Sequence, residues 1–255
     1  MLLAIDAGNS NIKLGVYQGA ELRAKWRLVP EQFGPADDYG PQVLRLFDRS
    51  GVDAKKIEAI IIASVVPQLN DIFKVISERV LQLTPTFIDH TTNTGLKLLY
   101  DQPSQLGADR IVDAVAAVEK YGAPCIVIDF GTATTFNAIN SKREYLGGII
   151  APGLMTTADA LFSRAAKLPR VEIKRPKNMI GKSTVEAMQS GIFYGYANLV
   201  DGLLEQMLRE MQETPKVIAT GGLAHVIRDA LHFIDEVDEN LTLDGLRIVY
   251  EMNTA

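Results

Sequence analysis

The chain has 255 residues, 47% of them apolar and 22% charged, the balance of a folded globular protein and not of a disordered or fibrous one. Lys and Arg number 26 against 31 Asp and Glu, a net charge of −5, which excludes a general nucleic-acid coat protein but not a protein that binds a small anion. A single cysteine, Cys125, excludes an internal disulfide framework, and three histidines without paired spacing exclude a His-rich metal site.

At about 150 residues per domain the length suits one large domain or two modest ones. The start, Met-Leu-Leu-Ala-Ile-Asp, has no basic residue, and Asp6 ends the apolar run too early for a secretory signal. The most apolar stretch, 57–66, contains Glu58 and is too short to span a bilayer. The expectation is a cytoplasmic protein with no membrane partner and no nucleic-acid partner.

In chain order, residues 2–6 read as a strand ending in Asp6-Ala7-Gly8-Asn9. Residues 11–18 and 21–29 follow with alternating apolar positions and a Gln18-Gly19 turn, which predicts an antiparallel meander. Residues 30–39 are turn-rich, and 40–50 have helical spacing. Residues 57–63 are a β-branched run, predicted as a buried strand. Pro67 suits the first turn of a helix that continues through Leu69, Ile72, Phe73, Ile76 and Val80. A short strand is expected at 86–89, and a helix at 107–121.

A second block opens at Cys125. Strand-like residues lead to Asp129-Phe130-Gly131-Thr132, a second strand runs to Ile139, and a third covers 145–150. Ile5-Asp6-x-Gly8 and Ile128-Asp129-x-Gly131 are 123 positions apart in matching strand–turn–strand contexts. The repeat predicts an internal duplication, two domains of related fold with a cleft between them. Further on, the pattern predicts a long helix from Thr184 to about Met211, a strand at 216–220 and a helix over about 223–233. That last helix would carry His225 and His232 in structural or solvated roles. Cys125 is read as core.

Five elements have the residue types for phosphate chemistry. In Asp6-Ala7-Gly8-Asn9-Ser10-Asn11-Ile12-Lys13, a strand ends in a carboxylate and a glycine turn lets backbone N–H groups approach a phosphate. Lys13 offers a charge, and Asp6, an acceptor only, would need a bridging Mg²⁺ beside phosphates. An ordinary hydrogen-bonded turn would read the same. Asp129-Phe130-Gly131-Thr132-Ala133-Thr134-Thr135 repeats that chemistry with hydroxyls. Gly107-Ala108-Asp109-Arg110 sets an acid beside a base at a helix start: Asp109 suits a proton acceptor and Arg110 a carboxylate fork. The same four residues also fit a helix-start acid with Arg110 on a solvated face. Gly147-Gly148 with Pro152-Gly153, and Thr220-Gly221-Gly222, suit close approach of backbone to a ligand or simple turns. Gly181-Lys182-Ser183 is not a P-loop, because Pro176 stands where the first glycine belongs.

In this order and chain length, the elements resemble the type III pantothenate kinases, a family of the acetate and sugar kinase/Hsp70/actin superfamily. The motifs that carry the resemblance are Asp6-x-Gly8-Asn9-Ser10-Asn11, Tyr100-x-x-Pro103-x-x-x-Gly107-x-Asp109-Arg110, Asp129-x-Gly131-Thr132-Ala133-Thr134 and Gly147-Gly148-x-Ile150-x-Pro152-Gly153. Ser10 stands where Thr is usual. The resemblance implies an α/β fold of duplicated ribonuclease H-like (actin-like ATPase) domains, with mixed sheets flanked by helices and boundaries near 1–115 and 116–255. It implies phosphorylation of pantothenate by ATP, the first step of coenzyme A biosynthesis. Residues 6–13 and Thr132 would bind ATP, with Asp6 near Mg²⁺ through water. Tyr100, Gly107, Ala108, Asp109, Arg110 and Thr184 would bind pantothenate, with Asp109 as proton acceptor. Asp129 would hold K⁺ or NH₄⁺, and a homodimer would carry the active site at its interface. A catalytically silent regulatory relative, or another small-molecule kinase of the superfamily, is the alternative. The tail after Leu241 carries no recognisable motif.

Overall fold

The computed structural model describes residues 1–30, 39–165 and 167–254, and the chain forms two compact units. Unit 1 comprises Met1–Leu96, Tyr100–Ala116 and Asn240–Ala255; unit 2 comprises Lys97–Leu99 and Ala117–Glu239. Relative to the expected split, the C-terminal segment returns to the first unit. Most of the turn-rich stretch expected at 30–39 lies outside the described residues.

Unit 1 is built on a five-stranded sheet. The strands β1 (Leu2–Ala7), β2 (Ile12–Gln18) and β3 (Glu21–Leu28) form the expected antiparallel meander. Parallel strands β4 (Ala59–Ser64) and β5 (Thr86–Phe87) complete the order β3-β2-β1-β4-β5. Every residue of β1 is buried, because helices cover both faces of the sheet. Leu3 and Ile5 pack with Phe47 of α1 (Tyr39–Arg49) and with Phe73 and Ile76 of α2 (Pro67–Arg79). Leu2 and Ala4 face the other way, toward Val112 and Val115 of α3 (Ala108–Tyr121) and Leu246 and Val249 of α7 (Leu241–Thr254). The period-2 alternation of a strand thus sorts one short segment between two helical layers. The Tyr17 hydroxyl donates to Asp244 at 2.8 Å, tying α7 to β2.

Unit 2 repeats the plan. The strands β7 (Cys125–Phe130), β8 (Ala133–Ile139) and β9 (Glu144–Pro152) are an antiparallel meander. The strands β10 (Lys216–Thr220) and β11 (Glu236–Val237) run parallel to β7, and β6 (Lys97–Leu98) adds to the outer edge of β9. The order β11-β10-β7-β8-β9-β6 matches that of unit 1 with one strand appended. The duplication predicted from two Asp-x-Gly elements is therefore a duplication of sheet topology. Ile126, Ile128, Phe130 and Phe136 pack against Ile192, Phe193, Tyr196 and Val200 of α5 (Thr184–Met211), with Leu154 and Ala158 of α4 (Leu154–Arg164).

One expected helix is shorter than its pattern. Residues 223–233 form one turn of helix, α6 (Ala224–Ile227), and a 3₁₀ turn at Arg228–Ala230. His232 lies beyond both, with its N–H donating to Asp201 at 3.1 Å; His225 pairs with Glu239.

Cys125 is fully buried on β7, and burial pushes its thiol up to about 12. The thiolate is the reactive form. A disulfide reagent at pH 8 is therefore expected to leave the native chain unmodified and to titrate one thiol in denaturant. Equal rates in the two states would remove Cys125 from the core.

Candidate active site

The first hairpin stands at the carboxyl end of β1, the edge of an open α/β sheet where ligands bind. Gly8 N–H donates to Asn11 O at 3.0 Å, which closes the turn and leaves Asn9 and Ser10 exposed. Asn11 Oδ1 accepts from Arg27 Nε at 2.7 Å. Asp6 is 7% exposed and lies opposite Lys13 in the ladder. Its Oδ2 is 3.1 Å from Lys13 Nζ, which also donates to Thr242 Oγ1 at 3.4 Å. Lys13 is therefore paired with Asp6 inside the hairpin. With that carboxylate neutralised, the turn presents amide and hydroxyl donors to an anion.

The Gly107–Arg110 element lies beside this hairpin. Val65 N–H donates to Ala7 O at 3.2 Å, and Val65 Cγ1 is 3.4 Å from where a Cβ on Gly107 would stand. Asp109 is half-buried in the first turn of α3, and its Oδ1 accepts the Arg110 N–H at 2.8 Å. A helix start is where an anionic side chain is favoured. Arg110 is 6% exposed, so it is not on a solvated face. Asp113, three residues on and 2% exposed, was missed in the sequence. Tyr100 is half-buried and precedes a 3₁₀ turn at Pro103–Gln105.

In unit 2 the second hairpin occupies the matching position, with Asp129 the fifth residue of β7 as Asp6 is of β1. Gly131 N–H donates to Ala133 O at 3.2 Å, and Thr132 is exposed at the tip. The two glycine motifs, which suit a ligand or simple turns, crowd this hairpin. A Cβ on Gly153 would stand 2.4 Å from Gly131 O; one on Gly221 would stand 2.3 Å from Asp129 Oδ1. Thr132 O accepts from Gly153 N at 3.1 Å and from Thr156 Oγ1 at 2.7 Å, which anchors the hairpin to the start of α4. Below it, the buried hydroxyls of Thr134 and Tyr196 hydrogen-bond. Burial raises the Tyr196 pKa above its ordinary value, and the nearby Asp129 charge adds to that rise.

Thr184 is the first residue of α5 and is exposed. Its placement follows from a capping motif: Ser183 Oγ accepts from Glu186 N at 3.2 Å, and the Glu186 carboxylate reaches back to Lys182 N at 2.8 Å. The structure thus brings together residues 6–13 with 107–110 in unit 1, and Asp129 with Thr132 and the two glycine motifs in unit 2.

A duplicated meander-plus-parallel sheet with an acid–glycine hairpin in each copy defines the class: an actin-like ATPase and sugar kinase fold. Solved structures with this fold include a ROK hexokinase from Thermus thermophilus, 13% identical with a TM-score of 0.50 and covering 99% of each chain. The activator of 2-hydroxyisocaproyl-CoA dehydratase from Clostridium difficile is 11% identical, with a TM-score of 0.57 over 99% of this chain and 94% of that one. Within the class, the family model of the type III pantothenate kinases matches residues 2–206, and this chain belongs to that family. The type III pantothenate kinase of Geotalea daltonii is 50% identical over 253 residues, 99% of each chain.

Proposed function

We propose that the chain transfers the γ-phosphoryl group of ATP to the primary hydroxyl of pantothenate, giving 4′-phosphopantothenate in the first step of coenzyme A biosynthesis. Membership of the family carries the reading, and the site geometry agrees with it. ATP enters with a divalent ion such as Mg²⁺ as part of the substrate. Asp6, with one oxygen on Lys13, suits a water-mediated contact to that ion. The turn from Gly8 to Asn11 and the Thr132 tip supply donors to the phosphates.

Pantothenate is held by Tyr100, by 107–110 and by Thr184. Arg110 takes its carboxylate, and Asp109 orients the hydroxyl and accepts its proton. The transition state of such a transfer is loose, so positioning and charge neutralisation dominate. Asp129 suits a monovalent cation, K⁺ or NH₄⁺. The Thr220 hydroxyl beside it in the ladder is fully buried and has no hydrogen-bond partner among the described residues, and a buried orphan oxygen next to a carboxylate fits a cation. Such an ion adds positive charge to the phosphate site.

Met179 and Ile180, 62% and 83% exposed just before Thr184, support the reading that a second copy covers this segment in a homodimer. Among the described residues no helix is long and apolar enough to cross a membrane, and the cytoplasm is the proposed location.

A coupled assay of ADP release tests the function. With ATP, Mg²⁺ and K⁺, release is expected to depend on pantothenate and to stay at background with hexoses or acetate. Release without pantothenate, or faster with a hexose, would overturn the assignment.

A further inference from the structure

The helix α7 lies beyond the residues that the family model matches, 2–206, and its sequence carries no motif, yet its first turn reaches the first acidic hairpin. Lys13, Gly15 and Tyr17 alternate onto the face of β2 that α7 covers. Three contacts fix the start of the helix there. A Cβ on Gly15 would stand 3.1 Å from Leu243 Cδ1, so Leu243 lies directly on the strand. Asp244 accepts the Tyr17 hydroxyl at 2.8 Å. A Cβ on Gly245 would collide with Val112 O, so α7 crosses α3 with its backbone in close approach. Leu241, Thr242 and Leu243 are all buried, and three successive helix residues span more than half of the circumference. The turn is therefore enclosed and not merely laid on the sheet.

Thr242 is the one polar side chain of that trio and is 2% exposed. Its Oγ1 accepts from Lys13 Nζ at 3.4 Å, and the same ammonium lies 3.1 Å from Asp6 Oδ2. Lysine carries its charge on a flexible stem, so an ammonium stays in one place only where acceptors hold it. Here a strand carboxylate and a helix hydroxyl, from opposite ends of the chain, hold it between them. The place matters for charge. An Asp6 carboxylate left without its ammonium would repel the phosphates at the adjoining turn.

We propose that Thr242 is a positioning residue of the donor site: its hydroxyl holds the Lys13 ammonium on Asp6, so the hairpin meets the triphosphate with its carboxylate already balanced. The inference rests on the reading of residues 6–13 as the ATP hairpin and adds a residue from the C-terminal helix to it. Thr242 acts through Lys13 and not on the nucleotide itself.

The test is a double-mutant cycle on Mg–ATP binding by the full chain, measured by calorimetry without pantothenate. Thr242→Val fills the same space and removes the acceptor. It is expected to raise the Kd for ATP by about tenfold, the change for roughly 1.4 kcal/mol. Thr242→Ser keeps the hydroxyl and should bind as the natural chain does. Lys13→Met should weaken binding at least as much as Thr242→Val, and the two together should bind no more weakly than Lys13→Met alone. In turnover, Thr242→Val should raise KM for ATP and leave KM for pantothenate unchanged. Thr242→Ala, which also lacks the acceptor, carries the cycle should Thr242→Val fail to fold. Equal losses from removing the hydroxyl with and without Lys13 would make Thr242 a packing residue and overturn the inference. Weakened binding in Lys13→Met beside natural binding in Thr242→Val would overturn the role of Thr242 alone. Natural binding in Lys13→Met would overturn the reading of the hairpin as well.

Discussion

Asp109→Asn is expected to lower kcat by roughly 10²–10⁴-fold, the contribution of a positioned general base, or about 3–5 kcal/mol of barrier. The substitution is chosen to spare the fold. Asp109 Oδ1 accepts the Arg110 N–H at 2.8 Å, and an amide oxygen in the same place accepts it as well. The start of α3 and the buried Arg110 therefore remain, and what is lost is the ability to take a proton. The unfolding midpoint and the binding of ATP should be close to those of the natural chain, because residues 6–13 are untouched. In a loose transition state the hydroxyl becomes acidic late, so part of the loss reports orientation of the nucleophile. Single-turnover measurement at saturating ATP and pantothenate separates chemistry from product release. Turnover within a few-fold of natural would remove Asp109 from the reaction.

The residues that make this prediction possible were legible in the sequence to different degrees, for physical reasons. The bounds of α5 and β10 could be read because each carries its own punctuation. Ser183 and Glu186 cap the first, and Gly221 closes the second. The strands β6 and β11 have two residues each, too few for alternation to show. The helical pattern over 223–233 failed because tertiary contacts captured the backbone. Asp201 takes the His232 N–H, and Leu231, Phe233 and Ile234 pack on the core of unit 2 from outside a helix. The helix α7 has apolar periodicity at Leu241, Leu246 and Val249, but nothing local could say that it docks on β1. In the site, residue types were readable and their uses were not. Lys13 neutralises Asp6, and Gly153 and Gly221 serve their own hairpin, because close approach in sequence terms does not name what approaches.

Gly221→Ala carries the largest expected effect on stability. Gly221 has φ +94, a region that L-residues rarely adopt, at a cost of order 1–3 kcal/mol. Its Cβ would also stand 2.3 Å from Asp129 Oδ1, 2.6 Å from Phe130 N and 2.7 Å from Phe130 C. The carboxylate could swing aside, but Phe130 ends the central strand paired with Thr134 of β8, and its neighbour Asp129 is paired with Thr220 of β10, so relief requires the strand ends to part. Overpacking of this kind adds about 1–3 kcal/mol. A total of about 2–6 kcal/mol follows, or roughly 4–24 °C in the unfolding midpoint for a chain of this size. Gly122 is the control: φ is +89, and nothing lies within 4 Å of its Cβ position. Gly122→Ala should show the backbone strain alone, and the difference between the two variants measures the collision. Denaturant midpoints at unchanged slope give both numbers. If the two substitutions cost the same, Gly221 is present only for its backbone angle, and the packing of β10 against Asp129 described above is not tight.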